Sequence, residues 1–261
     1  MQLLPGIIIA GYLLSTIFVR NMLIGKLVED RKKTFFYLII LLSFFLFAFY
    51  TYNLISQTKG FDFNASLSLT LLVINFLFCL FMFTKPIYHL GLILFPITAF
   101  IILVTLFYKT GSTPAALTNN NLQLHILSSF ISYGFLGLAG IEAMLLLFQE
   151  RKLRHVKDSS LAISLPPIEV MEKVMFDLIV IGFILLTVSL LSGAPFILGD
   201  NNFFLMQKII FSLISWITFA YLLFKRFSSG VRGTKAAHLT LSGITFLFIA
   251  YLGTRLFFEL L

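Results

Sequence analysis

The chain has 261 residues, 59% of them hydrophobic and only 11% charged, with a mean hydropathy of +1.00. Soluble domains carry about a quarter charged residues, so the composition excludes a soluble globular protein and describes an integral membrane protein. The formal charge of +8 would suit nucleic acid or an acidic substrate, but the cations cluster in short loops as topology signals, and no DNA- or RNA-binding module is present.

The first residues, MQLLPGIIIAGYLL, lack a basic start and a small-residue cleavage site, and read as a retained first span. Eight stretches approach the roughly 20 residues that cross hydrocarbon. Their expected limits are 3–23, 35–55, 65–84, 88–108, 123–148, 173–194, 205–224 and 236–258. The fold expected is all-α: a polytopic membrane protein of about eight transmembrane helices. It divides into an N-terminal four-span region (1–121) and a C-terminal four-span region (122–261) of a single membrane domain.

In the first four spans, Asn75 and Cys79 interrupt the third and Pro96 sits in the fourth, where it removes a helix hydrogen bond. All three read as structural. Cys79 is the one cysteine, which excludes an intrachain disulfide, a multi-cysteine metal site and a CxxCH haem-attachment motif.

The loops after spans one, three, five and seven hold 5, 1, 5 and 4 Lys and Arg, or 15 of the 19 in the chain. These loops are expected in the cytoplasm, with both termini outside. His89, His155 and His238 then fall on the cytoplasmic side, and His125 is the one histidine expected on the outer face.

Span five lies within QLHILSSFISYGFLGLAGIEAMLLLFQERKLR, residues 123–154. On a 100° wheel Ser129 and Ser132 fall within about 40° of His125. Ala139 and Ala143 continue that stripe, and Gly134, Gly137 and Gly140 allow close helix approach. One end thus carries a metal-capable imidazole above a narrow, mildly polar side. Glu142 and Asp177 lie towards the cytoplasmic ends of spans five and six, where acids at membrane depth mark functional sites or pair with nearby cations. After span five, Pro166-Pro167 breaks the chain before a new helix, with the turn set near Ser164. Residues 225–235, KRFSSGVRGTK, read as a cytoplasmic turn whose glycines suit a tight bend.

LHILSSFISYGFLGLAG (124–140), SLPPIEVMEKVMFDLIVIGFILLTVSLLSG (164–193), QKIIFSLISW (207–216) and GVRGTKAAHLTLSGITFLFIAYLGTR (230–255) resemble the cytochrome c assembly membrane proteins of the CcsA and CcmC type. Within that family the likeness points to the small eight-span, YpjD-like bacterial inner membrane branch. It runs from about residue 122 to the end and rests mainly on two motifs. One is His125 followed eight residues later by Tyr133; the other is Gly230-x-Arg232-Gly233-x-Lys235-Ala236-Ala237.

The resemblance implies a multi-pass protein of the bacterial inner membrane that binds or presents haem during cytochrome c maturation and is not itself an enzyme. Its partners would be the lipid bilayer, haem, and apocytochrome c or other assembly proteins, with no nucleic acid. His125 would be an axial metal ligand to haem, with Ser129 and Ser132 as polar support. Lys208 and Arg255 would receive the propionates. Larger relatives carry a tryptophan-rich haem loop and a second outer histidine. This chain has only Trp216, inside a span, and only Met206 and Gln207 near the mouth of span seven. The alternatives are a transporter or transporter-accessory subunit, resting on Glu142 and Asp177, and a haem-free scaffold of the same fold.

Overall fold

The computed structural model describes residues 3–25, 30–58, 63–107, 120–155, 165–194 and 203–253. In order, the helices are α1 (Leu3–Leu23), α2 (Asp30–Thr58), α3 (Phe63–Phe81), α4 (Gly91–Phe107), α5 (Asn120–His155), α6 (Ile168–Gly193), α7 (Phe203–Ser229) and α8 (Gly233–Phe248). A 3-10 turn (Tyr88–Leu90) leads into α4, and a π turn (Ile249–Gly253) extends α8. Of these eight helices among the described residues, seven are long and apolar enough to cross a membrane; α8, at 16 residues, is the short one. The protein is a polytopic all-α membrane protein, as its composition requires.

Each helix coincides with one expected span, but α2 and α6 begin five residues earlier and α5 and α7 run seven and five residues further than expected; the starts of α6 and α8 are informative. α6 starts at Ile168, five residues before the apolar run at 173. Pro167, with φ −52° and ψ 143°, sets its N-terminus, and its carbonyl accepts from Val170 N at 2.9 Å and Met171 N at 3.1 Å. The charged first turns enter the helix because Glu172 is neutralised by a cation from α7, described below. α8 begins at Gly233, whose φ of +60° turns the chain sharply into the helix. The expected turn near Ser164 lies outside the described residues.

The chain divides into two compact units: Met1–Ala116 with Lys152–Pro166, and Leu117–Arg151 with Pro167–Leu261. In the first, an aromatic cluster joins the four helices. Tyr12 of α1 meets Phe47 of α2 edge-on at 6.0 Å and Phe95 of α4 at 5.7 Å, while Phe78 of α3 meets Phe95 at 5.2 Å. Asn75 Nδ2 donates to Thr98 Oγ1 at 3.0 Å, tying α3 to α4, and Cys79 is buried; both have structural surroundings. Along α2, Phe36, Ile40, Ser43, Phe47 and Thr51 are buried, whereas Leu38, Leu42, Phe45, Phe49 and Tyr52 are exposed. Both sets follow the helical period, so one face packs and the other, equally apolar, is left for lipid.

The second unit is held by a different device. Lipid is as apolar as leucine, so helices associate there through close packing and hydrogen bonds rather than hydrophobic transfer. Ser132 Oγ of α5 donates to the Gly182 carbonyl of α6 at 2.8 Å, and Ser215 Oγ of α7 donates to the Gly243 carbonyl of α8 at 2.8 Å. A Cβ at Gly182 would lie 2.8 Å from Leu136, and one at Gly243 would lie 2.9 Å from Phe219. The same pairing of a serine hydroxyl with a glycine carbonyl therefore occurs at both crossings. α6 and α7 are further joined by Trp216 Nε1 donating to Thr187 Oγ1 at 2.9 Å and by the Trp216 ring stacked on Phe183.

Candidate functional site

The site is built where the first turns of α5 meet the last turns of α6. These helices run antiparallel, so pairs step down one as they step up the other: Ser132 with Gly182, Ser129 with Ser189, His125 with Gly193. Gly182, Ser189 and Gly193 stand at i, i+7 and i+11, within about 40° of one another on the wheel, and give α6 a small-residue face for α5.

His125 is half-buried. Its Nδ1 lies 2.8 Å from the Ser189 carbonyl oxygen and 3.3 Å from Ser189 Oγ. A carbonyl only accepts, so Nδ1 carries a proton and donates it, and in the neutral ring the lone pair is then on Nε2. Ser129 Oγ donates to the His125 carbonyl at 2.6 Å and lies 2.6 Å from Ser189 Oγ. With the Ser129 proton so used, the Ser189 hydroxyl donates to Ser129 Oγ. His125, Ser189 and Ser129 thus close a ring in which each donates and each accepts. Ser128 supports the turn, donating to the Leu124 carbonyl at 2.7 Å. Among the described residues Nε2 takes no part in a hydrogen bond.

The structure brings His125 and Ser129 together, and places Ser132 two turns deeper, fully buried with its hydroxyl committed to Gly182. Lys208 is half-buried near the start of α7 and is already engaged, though not in the hydrogen bonds of His125. Arg255 lies outside the described residues. Met206 is 52% exposed. Tyr133 packs edge-on against Tyr251 of the π turn, with ring centres 5.6 Å apart. Glu142 is fully buried and Asp177 half-buried, and both have partners in the fold. No group of three or more His, Cys, Asp or Glu side chains that could hold a metal occurs among the described residues.

At the opposite end of α6 lies a charged cluster. Arg226 Nη1 of α7 donates to Glu172 Oε1 at 2.5 Å and to the Val231 carbonyl at 3.2 Å, with its guanidinium 4.4 Å above the Phe176 ring. Glu172 Oε2 accepts from Gly233 N at 2.9 Å, capping α8 from another helix. This accounts for the two glycines of the Gly-x-Arg-Gly motif, while Arg232 itself is exposed. Gly230 (φ +64°) and Gly233 (φ +60°) turn the chain so that the Gly233 amide reaches Glu172.

Ser189, Gly193 and Glu172 are the residues that sequence reasoning missed. The first two act through a carbonyl and a bare Cα; the spacing of Gly182, Ser189 and Gly193 is the signal that would have found them.

The family model described as cytochrome C assembly protein matches residues 32–261, beginning far upstream of the resemblance seen from residue 122. The inner membrane protein YpjD of Escherichia coli K12 is 29% identical over 141 residues, covering 53% of this chain and 52% of the relative. The cytochrome c biogenesis protein CcsA of Guillardia theta is 26% identical over 191 residues, 64% of each chain. CcsA of Synechocystis is 32% identical over 90 residues, 34% of this chain and 27% of the relative. The chain spans about half the length of the first of these curated relatives. No solved structure matches it. With 32–261 covered by the family model, the chain belongs to the cytochrome c assembly protein family.

Proposed function

We propose that this protein holds haem at the His125 end of α5 and presents it during cytochrome c maturation, in the bacterial inner membrane. The observation that carries this reading is the anchoring of His125: Nδ1 lies 2.8 Å from the Ser189 carbonyl oxygen, and Nε2 stands outside that hydrogen bond. Metal-ligating histidines ordinarily have this arrangement, the second nitrogen donating to a carbonyl or carboxylate that fixes the ring. The residues present therefore fit a haem iron that would be held by the one imidazole of His125.

When bound, haem would supply an iron centre that accepts a neutral imidazole, and His125 would be the residue that holds it. The chain's own part is to bind, orient and release. His125 presents Nε2 at the helix end. Ser129 acts through His125 rather than on the ligand, since its proton is used within the ring of hydrogen bonds. Ser132 holds α5 against α6. Lys208 and Arg255 supply positive charge for the propionates from the outer side. The protein carries no paired thiols and leaves formation of the thioether bonds to another component.

The test is genetic. His125→Ala, expressed at wild-type level in a cell lacking its own copy, is expected to lower c-type cytochromes markedly, read by haem-stained gels of membranes. Unchanged levels would contradict the proposal.

A further inference from the structure

His125 is not simply a histidine near a helix end; the last two turns of α6 are shaped around its ring. A Cβ on Gly193 would lie 2.7 Å from His125 Nδ1 and 2.8 Å from Cε1, closer than any side chain tolerates. The edge of the imidazole is therefore seated against the bare Cα of Gly193, and any other residue there displaces it. The Ser192 hydroxyl, which donates to the Val188 carbonyl at 2.8 Å, also lies 3.1 Å from the Ser189 carbonyl oxygen. That carbonyl is a crowded acceptor facing Nδ1 and can only receive a proton.

The opposite tautomer has nowhere to go. With the proton on Nε2, the Nδ1 lone pair would face the Ser189 carbonyl oxygen at 2.8 Å, two acceptors in contact. Among the described residues the one donor within reach would be the Ser189 hydroxyl at 3.3 Å, which would have to abandon Ser129 at 2.6 Å. A long hydrogen bond would replace a short one and a repulsion would be added, so the ring of three residues is satisfied in one proton arrangement only.

We infer that Ser189 and Gly193 of α6, with Ser129 of α5, are positioning residues that hold His125 as its Nδ1–H tautomer with Nε2 presented outward. They do so before any ligand arrives. Gly193 fixes where the ring lies, the Ser189 carbonyl fixes which nitrogen keeps the proton, and the Ser129–Ser189 hydroxyl pair fixes the acceptor. The identity of the ligand as haem rests on the proposed function; the seat does not.

Nitrogen-15 spectra of histidine-labelled, haem-free protein in detergent, with the His125 signals assigned by their loss in His125→Gln, read the tautomer directly. The wild type is expected to show one protonated Nδ1 and one unprotonated Nε2. Gly193→Ala is expected to add signals of the second tautomer or of averaging, and to weaken binding of added haemin by about 10- to 100-fold, the usual effect of losing a group that orients a metal ligand. Ser189→Ala keeps the carbonyl and loses the hydroxyl, and is expected to leave the tautomer in place with a smaller loss of haemin affinity.

Gly243→Ala, an equally tight glycine contact at the α7–α8 crossing, is the control for general disruption and is expected to leave the His125 signals unchanged. A wild-type spectrum showing protonated Nε2 or a mixture overturns the inference even if Gly193→Ala does not fold, as does a Gly243→Ala effect equal to that of Gly193→Ala. A single Nδ1–H tautomer in protein that binds no haemin upholds the seat and overturns the haem reading instead.

Discussion

The two ends of α6 are built from opposite materials. At Glu172 a carboxylate spends one oxygen on Arg226 and the other on the Gly233 amide, so α6, α7 and α8 are locked by charge and nothing is offered outward. About 25 Å away along the helix, at 1.5 Å per residue, Ser189 and Gly193 use only neutral groups. They hold a histidine by one nitrogen and leave its other lone pair open. One end is closed and the other is presented. In a membrane protein with little soluble mass, this contrast separates the part that holds the bundle together from the part that can take a ligand.

Breaking the closed end is expected to have the largest effect on stability. Glu172→Ala strands the Arg226 guanidinium and uncaps α8. The loss should be about 2–3 kcal/mol, below the roughly 3–5 for a fully buried pair because Arg226 keeps some solvent contact. Thermal unfolding in detergent measures it, and Glu172→Gln with Arg226→Met should recover most of it by removing both charges while keeping the amide acceptor. Neither change should alter the nitrogen signals of His125; an effect there would break the distinction between the two ends. A smaller loss is expected for Ser132→Ala, which gives up one interhelical hydrogen bond of about 0.6 kcal/mol on average in membrane proteins. Smallest is Trp216→Phe. It loses the bond to Thr187 but keeps a ring over Phe183, and should shift stability by no more than about 0.5 kcal/mol, with intrinsic fluorescence reduced to its tyrosine contribution.

The sequence makes the contrast only half legible. Helix number and order are plain from hydropathy, since every span carries an apolar run of membrane length. His125 and Ser129 could be placed on one face from the helical period alone. The break at Pro166-Pro167 announces the new helix that is α6, although hydropathy begins its span only at 173 and leaves Glu172 outside. What lets Glu172 enter the helix is Arg226, 54 residues further on, and local composition holds no trace of that pairing. Ser189 and Gly193 were hidden for another reason. One works chiefly through its backbone carbonyl and the other through the absence of a side chain, neither of which is a chemical signature. The Gly-x-Arg-Gly turn was legible as a turn, but its purpose, delivering the Gly233 amide to Glu172, needed the fold.

The most direct test of the central claim is the visible absorption spectrum of detergent-purified protein after addition of haemin, for the wild type, His125→Ala and Glu172→Gln. The account predicts a Soret band near one haem per chain in the wild type, retained in Glu172→Gln at the closed end and lost in His125→Ala at the open one. A band of equal strength in His125→Ala, or none in the wild type, would contradict it.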